Sequence, residues 1–262
     1  MRGWIIGLSI AALLCGNVAS AAKAKTTFPY LDAPYDVAEG ATTIKGAPWM
    51  DYFKLYQTLR RTKLPVKSEF ETAAEFAARL EANPIKLYGT LTTASNISIG
   101  DFLDYDATTY DAESKTMHIT FNIGRIDVER DEGATTGRGH VLFEGSKNVG
   151  SYIGQNAFGV KKRITRSVSS EMCVLMKDAE GFTSSFDVPI PVEEARDSKT
   201  LAYLFIGKLA YPYTGTYSYR DEPTITSPID MTHFTSCVIM EKSTRLIIYS
   251  IVTKKILVDK RL

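Results

Sequence analysis

The chain has 262 residues, of which 44% are hydrophobic, 23% charged and 11% aromatic, proportions of a folded chain that argue against intrinsic disorder. Its 31 basic and 30 acidic side chains leave a formal charge of +1. No global field is available to gather polyanions, so nucleic acid is not an expected partner.

Residues 1–21 read as an export signal. Arg2 gives the positive start, and Trp4 to Leu14 form an apolar stretch shorter than the roughly 18 residues of a membrane-spanning helix. Val18-Ala19-Ser20-Ala21 supplies the small residues before a cut expected after Ala21, which removes Arg2 and leaves 30 bases against 30 acids. Bulky Leu14 precedes Cys15 where lipid attachment needs a small residue, so Cys15 reads as an ordinary signal residue. No later run is long enough to span a bilayer. The processed chain is therefore expected to be exported, periplasmic or extracellular, and not an integral membrane protein.

Residues 22–48, with Pro29, Pro34, Gly40, Gly46 and Pro48, read as an irregular lead-in. Trp49, Tyr52, Phe53, Tyr56 and Leu59 then recur at helical spacing, with Arg60, Arg61 and Lys63 complementing the helix dipole before Leu64-Pro65 stops the helix. Ser68-Glu69-Phe70-Glu71 reads as a capping box opening a second helix to Asn83-Pro84, with Ala73, Phe76, Ala77 and Leu80 as its apolar stripe and Glu75–Arg79 as an i,i+4 pair. After Pro84 the period falls to two. Leu87 to Thr93, Thr116 to Asp127, Val141 to Phe143, Lys161 to Val168, Met172 to Met176, Leu201 to Leu209, Thr235 to Met240, Leu246 to Val252 and Ile256 to Val258 read as strands.

So many short strands, without a helix between each pair, predict an α+β fold: a mainly antiparallel β-sheet body preceded by two α-helices. One domain over 49–262 is expected, with helices in 49–83 and the β-rich body in 85–262. A weaker alternative divides the chain at the polar, helix-turn stretch Val192 to Lys199.

Several segments carry a resemblance. Phe70-Glu71-Thr72 with Glu75 and Arg79, the Tyr110-Asp111-Ala112 turn, Gly154-Gln155-Asn156-Ala157-Phe158-Gly159, and Pro223-Thr224 with Pro228 and Asp230 together resemble exported bacterial β-rich proteins without an assigned function. The resemblance implies bacterial export and a mixed fold, and it carries no catalytic residues across.

The processed chain keeps Cys173 and Cys237, each in an apolar strand-like run. In an oxidising compartment they form a cross-strand disulfide if the runs are neighbours, and are two buried thiols otherwise. Gly154 to Val160 starts like a phosphate loop, but Val160 replaces the lysine; Asn156 and the glycines then serve a tight turn with Phe158 anchored in the core, or else a ligand-facing loop. Asp101, Asp104, Asp106 and Asp111 miss the calcium-loop template at Thr109 and Lys115, and read as acidic turn residues. His118, His140 and His233 have no paired ligand spacing, so no metal is expected; His118 reads as a hydrogen-bonded strand histidine. His140 follows the glycine-rich stretch 133–139, read as a flexible loop, and is the better candidate for an exposed role.

No Gly-x-Ser-x-Gly elbow, Ser-x-x-Lys pair or cofactor fingerprint occurs beyond the leader. Asp127, Glu129, Asp131 and Glu132 with Arg125 and Arg130 read as solvated hairpin charge, and Lys161-Lys162-Arg163 with Arg166 as a solvated strand face. Tyr211, Tyr213, Tyr217 and Tyr219 share parity, so a strand-turn-strand would set several phenol rings on one face. Such a face suits either a binding platform or simple cross-strand stabilisation. The expectation is a non-enzymatic envelope module without a cofactor, whose partner is an envelope protein or a glycan. The alternative is a hydrolase of cell-wall or glycan material with dispersed carboxylates or histidines.

Overall fold

The structure, a computed structural model, describes residues 30–46, 48–103, 107–121, 123–131, 133–180, 185–196 and 201–262, without the side chain of Glu194. The expected leader, its cleavage site and Cys15 lie outside these residues, as do Asp104, Asp106 and Glu132.

Helix α1 spans Tyr52–Arg61. Asp51 caps it, accepting from Lys54 N–H, and Arg60 and Arg61 sit in its last turn, where their charge suits the carbonyl end. It buries Tyr52, Leu55 and Leu59, while Phe53 stays exposed. Helix α2, Ala73–Ala82, begins later than the sequence suggests. Its capping box is Thr72 with Glu75, whereas Ser68 and Glu71 close a turn just upstream. Arg79 pairs with Glu71 at 2.8 Å instead of with Glu75, whose carboxylate is held by Thr72. Only Phe76 of the expected apolar stripe is buried, because the short alanines meet no facing layer.

The helices precede a β-rich, mostly antiparallel body. An eight-stranded sheet contains β1 (Asn96–Phe102), β4 (Ile123–Arg130), β5 (Gly133–Gln155), β6 (Lys161–Lys177), β8 (Leu201–Asp221), β9 (Ile229–Met240), β10 (Arg245–Ser250) and β11 (Ile256–Arg261). A second sheet holds β2 (Thr108–Asp111), β3 (Thr116–Thr120) and β7 (Ser185–Pro189), and a one-turn helix α3 (Val192–Arg196) precedes β8. The large sheet is mixed, because β6 and β9 run parallel. Leu87 to Thr93 makes a turn with one bridge, Lys86 to Thr92, instead of a strand, and Thr116 to Asp127 divides into β3 and β4. Among the described residues no helix is long and apolar enough to cross a membrane.

Strand β8 organises this sheet. Its first half pairs with β1 and β10 and its second half with β9; the change occurs at a bulge between Leu209 and Thr214, where Tyr213 takes a φ of 70°. At Glu129–Thr216 the second half also meets β4, so β4, β5, β6, β9 and β8 return on themselves as a barrel-like ring. Two glycines allow this closure. A Cβ on Gly139 would strike the Ile126 side chain, and one on Gly215 would strike Val128. Inside the ring Val128, Cys173, Leu175, Cys237 and Ile239 form a small apolar core.

The opposite face of β6 and β9 carries Val174, Met176, Val238 and Met240 into a larger core with α1. There the Tyr52 hydroxyl sits between the two parallel strands, donating to the Cys173 carbonyl at 2.7 Å and accepting from Val238 N–H at 3.2 Å. Burial pushes that phenol's pKa upward, so it stays protonated. The lead-in is more ordered than its composition suggests. Val37 and Ile44 are buried against Leu204, Ile206, Ile247 and Tyr249, and Ile44 N–H donates to the Lys254 carbonyl.

Candidate functional site

Register partners on neighbouring strands point to one face, so the concave side of the ring can be followed in rows across β5, β6, β9 and β8. The innermost row is Val141, Cys173, Cys237 and Gly215. The next is Glu144, Glu171, Thr235 and Tyr217; after it come Ser146, Ser169, His233 and Tyr219, then Asn148, Ser167, Met231 and Asp221. Cys173 and Cys237 are joined as a disulfide, their Cα atoms 4.4 Å apart in register. A bulge between Val141 and Phe143 brings Glu144 to the same face as Val141, three residues earlier. Polarity therefore increases outward along the face, from an apolar base to carboxylates, hydroxyls and rings.

The second row opens into a cleft of about 660 Å³ whose walls include Ile126, Val141, Glu144, Glu171, Thr235 and Tyr217. The Thr235 hydroxyl donates to Glu171 at 3.2 Å and orients its carboxylate. Arg125 and Asp127 stand at the β4 edge, 3.4 Å apart, and Asp127 also accepts from the Thr136 hydroxyl. These contacts, with Arg125 secondary to Thr136, hold the Asp127 carboxyl below its usual pKa. The two glutamates face each other across an antiparallel pair, a juxtaposition of like charges that costs stability unless a ligand or ion answers it.

A shelf of rings continues from the cleft. Tyr217 and Tyr219 lie 5.9 Å apart, each 46% exposed, and Tyr219 stacks on His233 at 4.3 Å with the planes 4° apart. Asp221 accepts from or pairs with His233 Nε2 at 2.9 Å, which sets the imidazole's orientation.

The four tyrosines thus divide into two pairs, and the expected strand-turn-strand is a single long strand, β8. Tyr211 packs on Phe76 at 5.0 Å and donates to the Pro65 carbonyl, while Tyr213 is buried beside it; burial raises the Tyr213 phenol's pKa. The bulge rotates these two away from the face that Tyr217 and Tyr219 keep. His140 also departs from expectation, because residues 133–139 are not a loop but the start of β5. Its half-buried ring lies among Phe121, Tyr203 and Phe205, with Nε2 3.1 Å from the Tyr203 hydroxyl, and the residue is part of the cleft wall.

Asn156 is remote from the cleft, at the tip of the β5–β6 hairpin. Its Oδ1 accepts from the N–H groups of Phe158 and Val160, both at 3.0 Å, which is the turn role expected of it. Phe158, expected as a core anchor, is instead 91% exposed, because the hairpin tip has no core within reach. His118 is hydrogen-bonded as expected, to Asp187 on β7 at 2.6 Å. Asp111 spends its oxygens on the Glu113 N–H and Ser114 hydroxyl of a turn. Among the described residues no group of three His, Cys, Asp or Glu is placed to hold a metal ion.

The residues that sequence reasoning missed are Glu144, Glu171 and Thr235. Glu171 shares the parity of Cys173 and Thr235 that of Cys237, a signal present in the sequence; Glu144 joins them only through the bulge. Compared with protein-family models, curated proteins and solved structures, the chain gives no match.

Proposed function

We propose that this chain is an exported, non-catalytic binding module of the bacterial cell envelope whose cleft and ring shelf take a glycan. The observation that supports this reading is the single concave face on which Glu144, Glu171, Thr235, Tyr217, Tyr219 and His233 meet. Exposed phenol rings cover the apolar faces of sugars at low conformational cost, and carboxylates and a hydroxyl beside them accept and donate to sugar hydroxyls. Two carboxylates with one bound hydroxyl also suit an amino-bearing sugar.

The test uses isolated envelope glycan. Tyr217→Ala with Tyr219→Ala is expected to weaken retention of the chain roughly tenfold, from two lost stacking contacts, with circular dichroism unchanged. Tyr211→Phe, which keeps the ring but lies off the face, leaves retention intact. Undiminished retention of the folded double variant overturns the reading.

The cross-strand position of Glu144 and Glu171 favours a second reading, a glycan hydrolase. Directly opposed strand positions hold Cβ atoms about 5 Å apart, which sets two carboxyl-bearing side chains at one cleft, the residue pair that glycoside hydrolysis uses. Release of soluble reducing ends by the wild-type chain, abolished by Glu171→Gln, would select this reading over the first.

A further inference from the structure

The β5–β6 hairpin bears a different kind of surface. Strand β9 begins pairing with β6 only at Thr165, opposite Ile229, so Tyr152–Gln155 and Lys161–Ile164 with their turn extend past the rest of the sheet. At four residues per strand this arm projects roughly 13 Å. Its end is apolar and uncovered: Phe158 is 91% exposed, Ile153 61% and Val160 52%, and Ile225 of the adjoining β8–β9 connection is 58% exposed. Lys162 Nζ donates to the Ile225 carbonyl and ties that connection to the arm. Asn156 holds the turn that presents Phe158.

Charge is segregated here as well. Between Glu144 and Glu171 the chain carries Lys147, Lys161, Lys162, Arg163 and Arg166 and no acidic residue, in a protein whose formal charge is only +1. Asp230, opposite Arg166 in register, is already bound by Arg220 in two hydrogen bonds. An apolar tip backed by three consecutive cations on β6 is complementary to an anionic lipid leaflet, where apolar side chains enter the headgroup and acyl boundary and bases meet phosphates. A nucleic-acid strand would answer the cations but would leave three exposed aliphatic side chains without a partner.

The geometry points to the β5–β6 arm as a peripheral docking device for anionic lipid, with Phe158 as its inserted residue and Lys161, Lys162 and Arg163 as its headgroup contacts. This goes beyond the glycan reading, since the arm and the cleft share no residue.

The experiment places a reporter at the tip. Full-length chain carrying Phe158→Trp is mixed with vesicles of phosphatidylcholine containing about a third phosphatidylglycerol, and its emission is compared with that of the wild-type chain under the same conditions. The added indole emission is expected to shift to the blue and to be quenched by lipids brominated along the acyl chain. Pure phosphatidylcholine and high salt abolish the effect. Lys161→Ser, Lys162→Ser and Arg163→Ser combined in the reporter background do so too. In the parent chain, Phe158→Ser lowers anionic-vesicle partitioning roughly tenfold, as expected for loss of one inserted aromatic ring. Because the reporter is local, vesicle binding through any other part of the chain gives neither shift nor quenching. Absence of both in a variant with unchanged circular dichroism overturns the inference. Tip burial by duplex DNA or by self-association, without a vesicle response, also overturns it.

Discussion

Arg130 shows how one buried cation joins elements far apart in sequence. Its guanidinium donates to the Leu59 and Thr62 carbonyls at the end of α1, and to the Pro212 carbonyl and Thr214 hydroxyl at the β8 bulge. Burial, and secondarily the charge of Arg60, lowers its pKa, yet an arginine so placed keeps its proton. Arg130→Met leaves buried carbonyls unanswered, and urea unfolding is expected to show a loss of about 3 kcal/mol; Arg130→Lys, lacking the fork of donors, recovers only part of it. Gly215 is another residue whose identity is dictated by a neighbour, since any side chain there meets Val128. Gly215→Ala is expected to cost about 1–3 kcal/mol. Val128→Ala in the same chain returns part of that loss, and a double-mutant cycle measures the coupling.

At the scale of elements, the β8–β9 pair depends on the closure of the connection between them. Arg220 near the end of β8 grips Asp230 at the start of β9 at 2.6 and 2.7 Å, with the Asp230 side chain 6% exposed. The Arg220 hydrogen bonds, opposed by burial, hold the Asp230 carboxyl below its usual pKa. A carboxyl depressed in the folded state contributes stability that is complete above its unfolded pKa of about 4 and lost as pH falls through the lower folded value. The stability difference between wild type and Asp230→Asn is therefore expected to be largest near neutral pH and to shrink below about pH 4. Urea titrations across that range measure it. An unchanged difference would mean that the ion pair does not govern the closure.

For the whole molecule, the disulfide is the covalent link inside the ring. It joins positions 64 residues apart in sequence and lies one row behind Glu171 and Thr235. Restricting the unfolded chain across such a loop is worth about 4 kcal/mol in the chain-entropy account. Reduction, or Cys173→Ala with Cys237→Ala, is expected to lower the urea midpoint by a corresponding amount, and the reductant should have no further effect on the double variant.

Much of this architecture is legible in the amino-acid sequence. Period-two runs of β-branched residues marked most strands, helical spacing marked α1, and the even pair of strand cysteines marked a possible bridge, because each signal is local to the segment that carries it. Strands β1, β2 and β7 escaped notice, since acidic and small residues such as Asp101, Asp111 and Ser185 dilute their pattern. Phe158 stays exposed for a related reason: hydrophobicity states a preference for burial, but whether a core lies within reach depends on where the hairpin ends.

The amino-acid sequence by itself determined the α+β character, the order of helices before sheet and the acid-free stretch between Glu144 and Glu171. Tertiary structure alone decided that β6 lies parallel to β9, that Glu144 faces the cleft, and that Tyr211 and Tyr213 pack against the body while Tyr217 and Tyr219 are displayed. The physical reason is that side-chain direction in a strand alternates residue by residue, so one bulge at Val141–Phe143 or Leu209–Thr214 reverses every side chain beyond it. Those bulges are set by the partners across the sheet, which lie tens of residues away in the chain.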